Sequence, residues 1–190
     1  MNSRDRIFQK IRINKGEFLK APNIHRFDGE NGCERFKTAL GEVAGRCFEA
    51  SSLPDAEKLI QKLFPDVKEI ASDIVSGTFH TGADTDASAL DTIELVILKA
   101  SFGVAENGAL WLSESDMMTR ALPFITQHLV LLLDRNKIVS DMLDAYLEID
   151  PSFSYGVFIA GPSKTADIEQ SLVIGAQGPR TLTVILLNSF

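Results

Sequence analysis

The run His-Leu-Val-Leu-Leu-Leu at residues 128–133 restricts the fold more than any other feature of this chain. Side chains alternate between the two faces of a strand, so the apolar residues that follow His128 leave neither face suited to water. Such a strand belongs inside a sheet covered on both sides, which is the arrangement of parallel α/β proteins. Residues 67–71, 94–98 and 182–187 supply further β-branched or leucine-rich runs suited to a buried sheet. Shorter strands are expected at 46–50 and 155–160. Residues 102–106 and 109–113 flank Asn107-Gly108, a strong hairpin signal.

Helical periodicity fills the intervals. Ser3 is placed to cap a first helix, with Ile7, Phe8 and Ile11 on one face and Gly16 positioned to stop it. A second helix runs through Phe36, Leu40 and Val43 to Gly45. A third opens at Pro54, buries Leu59, Ile60, Leu63 and Phe64, and closes at Pro65. Ser140 caps a fourth, which bears Met142, Leu143, Tyr146 and Leu147. The spacing predicts a fifth over 165–174, which would make 155–187 a right-handed parallel strand–helix–strand crossover. The expected architecture is therefore α/β, a mostly parallel sheet with helices on both faces. A helical arm at 1–20 precedes a single domain at 21–190. Residues 21–32, with Pro22 and Asn31-Gly32, read as a connector. Residues 76–89, rich in Gly, Thr, Asp and Ser, read as a long loop that is functional or mobile.

Charge and cysteine content narrow the function classes. The net charge of -7 disfavours nonspecific binding to nucleic acid or to an anionic membrane, because both are polyanions. The first 20 residues hold six cations against Asp5 and Glu17, a local +4, so the remainder sums to -11. This basic arm reads as a solvated helix face or as a contact for RNA or an acidic protein. No apolar run is long enough to span a bilayer and no signal sequence opens the chain, so a cytoplasmic protein is expected. Cys33 and Cys47 form no Cys-x-x-Cys pair and read as reduced thiols. Two cysteines and three histidines are too few for an iron–sulfur cluster within this chain alone.

Two segments carry candidate chemistry. In residues 161–169, Gly161 permits a tight turn, Pro162 stiffens it, and Ser163 and Thr165 offer hydroxyls at an expected helix start. The second glycine and the Gly-Lys-Ser/Thr ending of a phosphate-binding loop are missing, and Asp167 and Glu169 would repel an anion there. A capped crossover turn and a ligand-binding turn both fit these residues. In Ala105-Glu106-Asn107-Gly108, a glutamate held before a tight turn suits a nucleophile or general base, or else an exposed hairpin residue. His80, Asp84 and Asp86 suggest a metal, but an EF-hand started at Asp84 fails at Ala89 and Leu95, so no metal site is assigned. His128 reads as a hydrogen-bonded structural histidine, and Trp111 as core or interface. The cofactor is left unassigned.

These motifs together resemble the lactate utilization protein C family, the LUD domain. Gly161-Pro162-Ser163, Thr165-Ala166-Asp167-Ile168-Glu169, Gly175 and Gly178-Pro179-Arg180 are similar to that family's C-terminal signature. Ala105-Glu106-Asn107-Gly108-Ala109-Leu110 is similar to its second motif, where Ala-Glu-Thr-Gly-Thr is usual. Pro123 and His128 also fit, and weaker likeness extends to Glu34-Arg35-Phe36 and the Ile7/Ile11 helix. The resemblance implies the fold of ribose-5-phosphate isomerase and the CoA transferases. It also implies support of L-lactate oxidation to pyruvate beside separate iron–sulfur subunits.

In that reading the ligand is a small carboxylate or a partner's cofactor, set between the Glu106 turn and the 163–165 segment. Glu106 or Asp167 handles a proton, while Asn107, Gly108, Gly161, Ser163, Thr165 and Glu169 contact the ligand. Asn107 and Ala109 replace the usual threonines, leaving a Glu-Asn-Gly similar to the active-site glutamate motif of CoA transferases. A free-standing transferase or isomerase using Glu106 is thus one alternative, and a regulatory or assembly module docking through the basic arm is another.

Overall fold

The structure, a computed structural model, describes residues 2–16, 32–79, 90–152, 154–168 and 171–188, with the backbone alone at 166–168 and 171–172. Its centre is a five-stranded parallel sheet of β1 (Arg46–Ala50), β2 (Ile70–Ser72), β3 (Leu95–Lys99), β6 (His128–Asp134) and β11 (Thr181–Leu187). The spatial order is β1-β11-β6-β3-β2, and every pairing is parallel. As its composition requires, β6 lies in the middle. Leu129, Leu131 and Leu133 face one side, Val130 and Leu132 the other, and all five are fully buried.

A helix covers each face. On one side α3 (Leu53–Leu63) sets Ala56 and Ile60 against Val130, Leu132, Ile185 and Leu187. On the other, α2 (Gly32–Glu42) inserts Phe36 and Leu40 among Leu129, Leu131, Val184 and Leu186. A second, four-stranded sheet shares that side. It holds β4 (Phe102–Val104), β5 (Leu110–Ser113), β7 (Ile138–Val139) and β8 (Gly156–Ile159) in the order β7-β4-β5-β8. The α/β architecture with helices on both faces stands. By contrast α1 (Ser3–Ile13), the expected arm, buries no residue.

The 155–187 segment departs from expectation. In place of a helix at 165–174 the chain forms an antiparallel pair, β9 (Lys164–Ile168) and β10 (Ser171–Ile174). Thr165, Ile168, Val173 and Ile174 are β-branched and suit extended backbone, and Gly161 and Gly175 bracket the pair at φ 74° and 80°. Nor is the segment a parallel crossover, because β8 pairs antiparallel with β5 in the second sheet. Trp111 lies opposite Phe158 with ring centroids 4.7 Å apart, and a Cβ at Gly156 would strike the indole. Aromatic packing thus decides which sheet β8 joins.

Smaller differences are local. Asn2 caps α1 through the Asp5 N–H, and Asp141, not Ser140, caps the helix Met142–Glu148 through the Asp144 N–H, each at 2.9 Å. The strand expected at 67–71 is confined to β2. In the 105–108 turn only Gly108 has positive φ, and Val104 N–H donates to the Ala109 carbonyl across its base at 2.8 Å. The turn is therefore a four-residue loop and not a two-residue one. Of the expected 21–32 connector, Gly32 opens α2 and residues 21–31 lie outside the described residues, as do His80, Asp84 and Asp86.

Two substitutions in the central strands should move stability in opposite directions. Leu131→Ala removes a fully buried side chain from the core and should cost about 2–5 kcal/mol. Thr183 is fully buried on β11, and its Oγ1 has no hydrogen-bond partner among the described residues. Thr183→Val keeps the β-branched shape and should stabilise the fold by about 1 kcal/mol. Denaturant unfolding measures both; a destabilised Thr183→Val would show that the hydroxyl has a partner.

Candidate functional site

A cavity of about 500 Å³ opens where the two sheets meet. The end of β8 supplies Phe158, Ile159 and Ala160, and the chain then turns through Gly161 and Pro162 into β9. Gly161 has φ 74°, and a Cβ there would run into the Val43 carbonyl oxygen just beyond α2. Both conditions require glycine. The opposite wall comes from α4 (Leu122–Ile125), through Pro123 and Phe124, and from Gln177, Gly178 and Pro179 ahead of β11. Gly178 lets the walls close up, because a Cβ there would lie 3.0 Å from Ser163 Cβ and 3.4 Å from the Phe124 carbonyl. Backbone bonds fix the frame: Ser163 N–H donates to Pro179 at 2.8 Å, and Gly175 N–H to Ser163 at 3.0 Å.

The cavity sits at the amino ends of β6 and β11, whereas ligands of open parallel sheets gather at carboxyl ends. It is the carboxyl end of β8 that reaches it, and β8 belongs to the other sheet. Nor do Ser163 and Thr165 stand at a helix start, since Lys164 opens a strand. Ser163, Thr165 and Gln177 give hydrogen-bonding groups, while Phe124, Phe158 and Ile159 give apolar surface. Lys164 is the only charged residue among the described residues lining the cavity. Such a lining combines one cationic residue, three hydrogen-bonding side chains and apolar surface.

The structure gathers only part of the expected set. Gly161, Ser163 and Thr165 line the cavity. Glu106 does not: its Oε2 accepts from the N–H of Met142, at 3.0 Å, at the start of α5 (Met142–Glu148). Asn107 Oδ1 accepts from the Ala109 N–H, and Gly108 packs its backbone on Ala39 and Leu40 of α2. Leu110 pairs with Ile159, so the Glu106 turn and Gly161 share one end of the second sheet, both seated on α2. Asp167 follows Thr165 by two residues on β9, and Glu169 lies outside the described residues. Lys164 drew no attention in the sequence, although it is the only cation among residues 161–169 and stands between two hydroxyl residues. Phe124 and Gln177 carry no sequence signal, since folding alone brings them there.

Neighbouring groups are structural. His128 Nδ1 lies 2.8 Å from Thr181 Oγ1, and the ring tilts over Phe64 at 5.1 Å. Burial, followed by the positive charges of Arg46 and Arg180, holds its pKa below 6.5, with Glu94 opposing. Burial pushes the Cys47 thiol up to about 12, so it stays protonated. Among the described residues no group of three or more His, Cys, Asp or Glu is placed to hold a metal ion, and no helix is long and apolar enough to cross a membrane.

The depressed His128 pKa fixes the sign of a pH effect. The unfolded chain binds the proton more readily, so this contribution to stability is complete above pH 6.5 and is lost as pH falls through the window below it. The drop in urea midpoint on acidification should be smaller in His128→Gln than in the unaltered protein. Equal drops would show that His128 titrates normally.

The model of the LUD domain family matches residues 84–187. Lactate utilization protein C of Bacillus pumilus is 27% identical over 121 residues, covering 57% of this chain and 50% of that protein. The protein of that name from Oceanobacillus iheyensis is 26% identical over 117 residues, covering 54% and 50%. An uncharacterised protein of Neisseria meningitidis is 34% identical over 92 residues, covering 46% and 40%. The chain thus spans about half the length, or less, of these curated relatives. The crystal structure of a DUF162 family protein from Deinococcus radiodurans superposes with a TM-score of 0.62 at 16% identity, covering 83% of this chain and 96% of that one, a likeness of fold. With its family-matched segment running from residue 84 through β11, and with that segment supplying every wall of the cavity, the chain belongs to the LUD domain family.

Proposed function

We propose that this chain is a cytoplasmic subunit without an iron–sulfur cluster that supports the oxidation of L-lactate to pyruvate, and that the cavity beside Gly161 binds the carboxylate. The observation that carries the reading is the cavity's charge pattern. Lys164 is the one charged residue among the described lining residues, Ser163 and Thr165 flank it in sequence, and Phe124, Phe158 and Ile159 add apolar surface. A 2-hydroxy acid presents a carboxylate to the ammonium, a hydroxyl to a hydrogen-bonding side chain and a methyl to Phe124 or Phe158. The names of the curated relatives support lactate as the acid.

Oxidising lactate to pyruvate releases two electrons and two protons. Two cysteines leave this chain no means of binding a cluster alone, so the C2 hydrogen leaves with both electrons to an electron-accepting group held by a partner, and the electrons pass on to separate iron–sulfur proteins. We assign the hydroxyl proton to Asp167, two residues beyond Thr165 on β9. Glu106 is a positioning residue in this scheme: its carboxylate holds the start of α5 and keeps the 105–108 turn seated on α2. A cavity of about 500 Å³ exceeds what a three-carbon acid fills, leaving space for a partner's electron-accepting group.

Calorimetric titration with L-lactate and pyruvate tests the site. Lys164→Gln should weaken both about tenfold or more, the scale of one lost charge-assisted hydrogen bond. Lys164→Arg should retain most of the affinity, and Ser163→Ala should lose several-fold. Unchanged affinity in Lys164→Gln would refute the assignment. The subunit role is tested by co-purification with iron–sulfur proteins and by deletion, and normal growth of the deletion strain on lactate would overturn it.

A further inference from the structure

A second cavity, of about 320 Å³, lies at the carboxyl ends of β3 and β6, the end of an open parallel sheet where ligands gather. It shares no lining residue with the cavity beside Gly161. Two neighbouring crossovers between the sheets form it. Strand β3 enters β4 through Ala100 and Ser101, and β6 enters β7 through Arg135–Lys137. Ser101, Phe102, Asn136 and Lys137 line the cavity from these crossovers. Ile138 and Val139 of β7 add to the wall, as does Glu148, the last residue of α5.

The two charged residues of this lining are opposite in sign and unpaired. Lys137 and Glu148 are exposed, and they form ion pairs neither with each other nor with another described residue. The neutral polar residues lean toward accepting. Ser101 Oγ donates its proton to Asp116, which leaves the oxygen lone pairs, and Asn136 Nδ2 donates to the Asn188 carbonyl at 3.1 Å, which leaves Oδ1. Such acceptors beside Glu148 suit an ammonium, whereas Lys137 suits a carboxylate. Phe102, Ile138 and Val139 supply apolar surface.

We infer that this second cavity binds a free α-amino acid with a hydrocarbon side chain. Lys137 takes the carboxylate, Glu148 with Asn136 Oδ1 and Ser101 Oγ takes the ammonium, and Phe102, Ile138 and Val139 cover the side chain. An α-amino acid carries both charges on one carbon, so it bridges two charged residues that do not pair directly. A simple anion is repelled by Glu148 and a simple cation by Lys137, which makes the zwitterion the matching class. Phe102 links the cavity to a reporter, because its ring stacks on that of Trp111, the only tryptophan, with centroids 6.3 Å apart. Lys164 takes no part, so the inference stands apart from the lactate reading.

Calorimetry and Trp111 fluorescence of the full-length chain test this with L-leucine, L-valine and L-phenylalanine. At least one should bind one to one. Lys137→Gln and Glu148→Gln should each weaken that binding about tenfold or more, the scale of one lost charge-assisted hydrogen bond. The amide of the same amino acid, which lacks the carboxylate, and its N-acetyl derivative, which lacks the ammonium, should each bind the unaltered protein more weakly by a similar factor. Both substitutions fall at exposed positions, and an unchanged urea midpoint shows that the variants fold. L-lactate affinity should be the same in both variants, which separates this result from that of Lys164→Gln. The inference is overturned if none of the three amino acids binds, or if the amide and N-acetyl forms bind as tightly as the free one. Binding that Lys164→Gln abolishes while Lys137→Gln and Glu148→Gln leave it intact also overturns it, for that places the amino acid in the first cavity.

Discussion

Strands β6 and β11 run side by side in parallel over their full lengths, from the His128–Thr181 pair to the Asp134–Leu187 pair, and the seam between them governs the rest of the molecule. Successive side chains leave it in opposite directions, and nearly all are apolar and buried. Exposing either row would forfeit roughly 1.5–3 kcal/mol for each large aliphatic side chain. Both faces therefore need cover, which α3 provides on one side and α2 with the second sheet on the other. The polar exceptions on the seam are His128, Thr181 and Thr183 toward its amino end, where His128 meets Thr181, and Asp134 at its carboxyl end.

The cavity follows from that layering. The second sheet packs on the α2 side of the seam, and the chain must travel from β8 in one sheet to β11 in the other. It does so through the β9–β10 pair, and the space beneath this excursion is bounded by α4 and by residues 177–179. Helix α2 serves as the common brace. Gly108 rests on Ala39 and Leu40, and Gly161 rests on Val43, so two motifs distant in sequence are referred to one helix. Glu106 contributes by tying that turn to α5. Membership in the LUD domain family fits a frame in which both motifs are fixed by packing and only the Gly161 motif borders the cavity.

Parts of this arrangement were legible before folding. The apolar run at 129–133 called for a central strand covered on both faces, and it is one. Pro54 at the start of α3, the stop at Phe64-Pro65 and the Asn107-Gly108 turn were readable because proline and glycine act through local backbone sterics. Gly161 and Ser163 stood out for the same reason, and both line the cavity. The 165–174 segment is not legible as a strand pair, because its polar and β-branched residues carry no strong period and the brackets at Gly161 and Gly175 gain meaning only in an extended pair. Lys164 is not legible as a site residue, since one lysine between two hydroxyl residues is unremarkable until the described residues of the cavity walls prove to hold no other charge.

The sequence by itself determined the parallel α/β class, the central place of β6 and the sites of the tight turns, because buried apolar patterning and φ restrictions act over a few residues. Only the tertiary structure decided which sheet β8 joins, that Glu106 turns to α5 while Ser163 turns to the cavity, and that Phe124 and Gln177 close the opposite wall. Those outcomes depend on contacts between residues tens of positions apart, such as Trp111 on Phe158 and Gly161 on Val43, which local propensity does not encode.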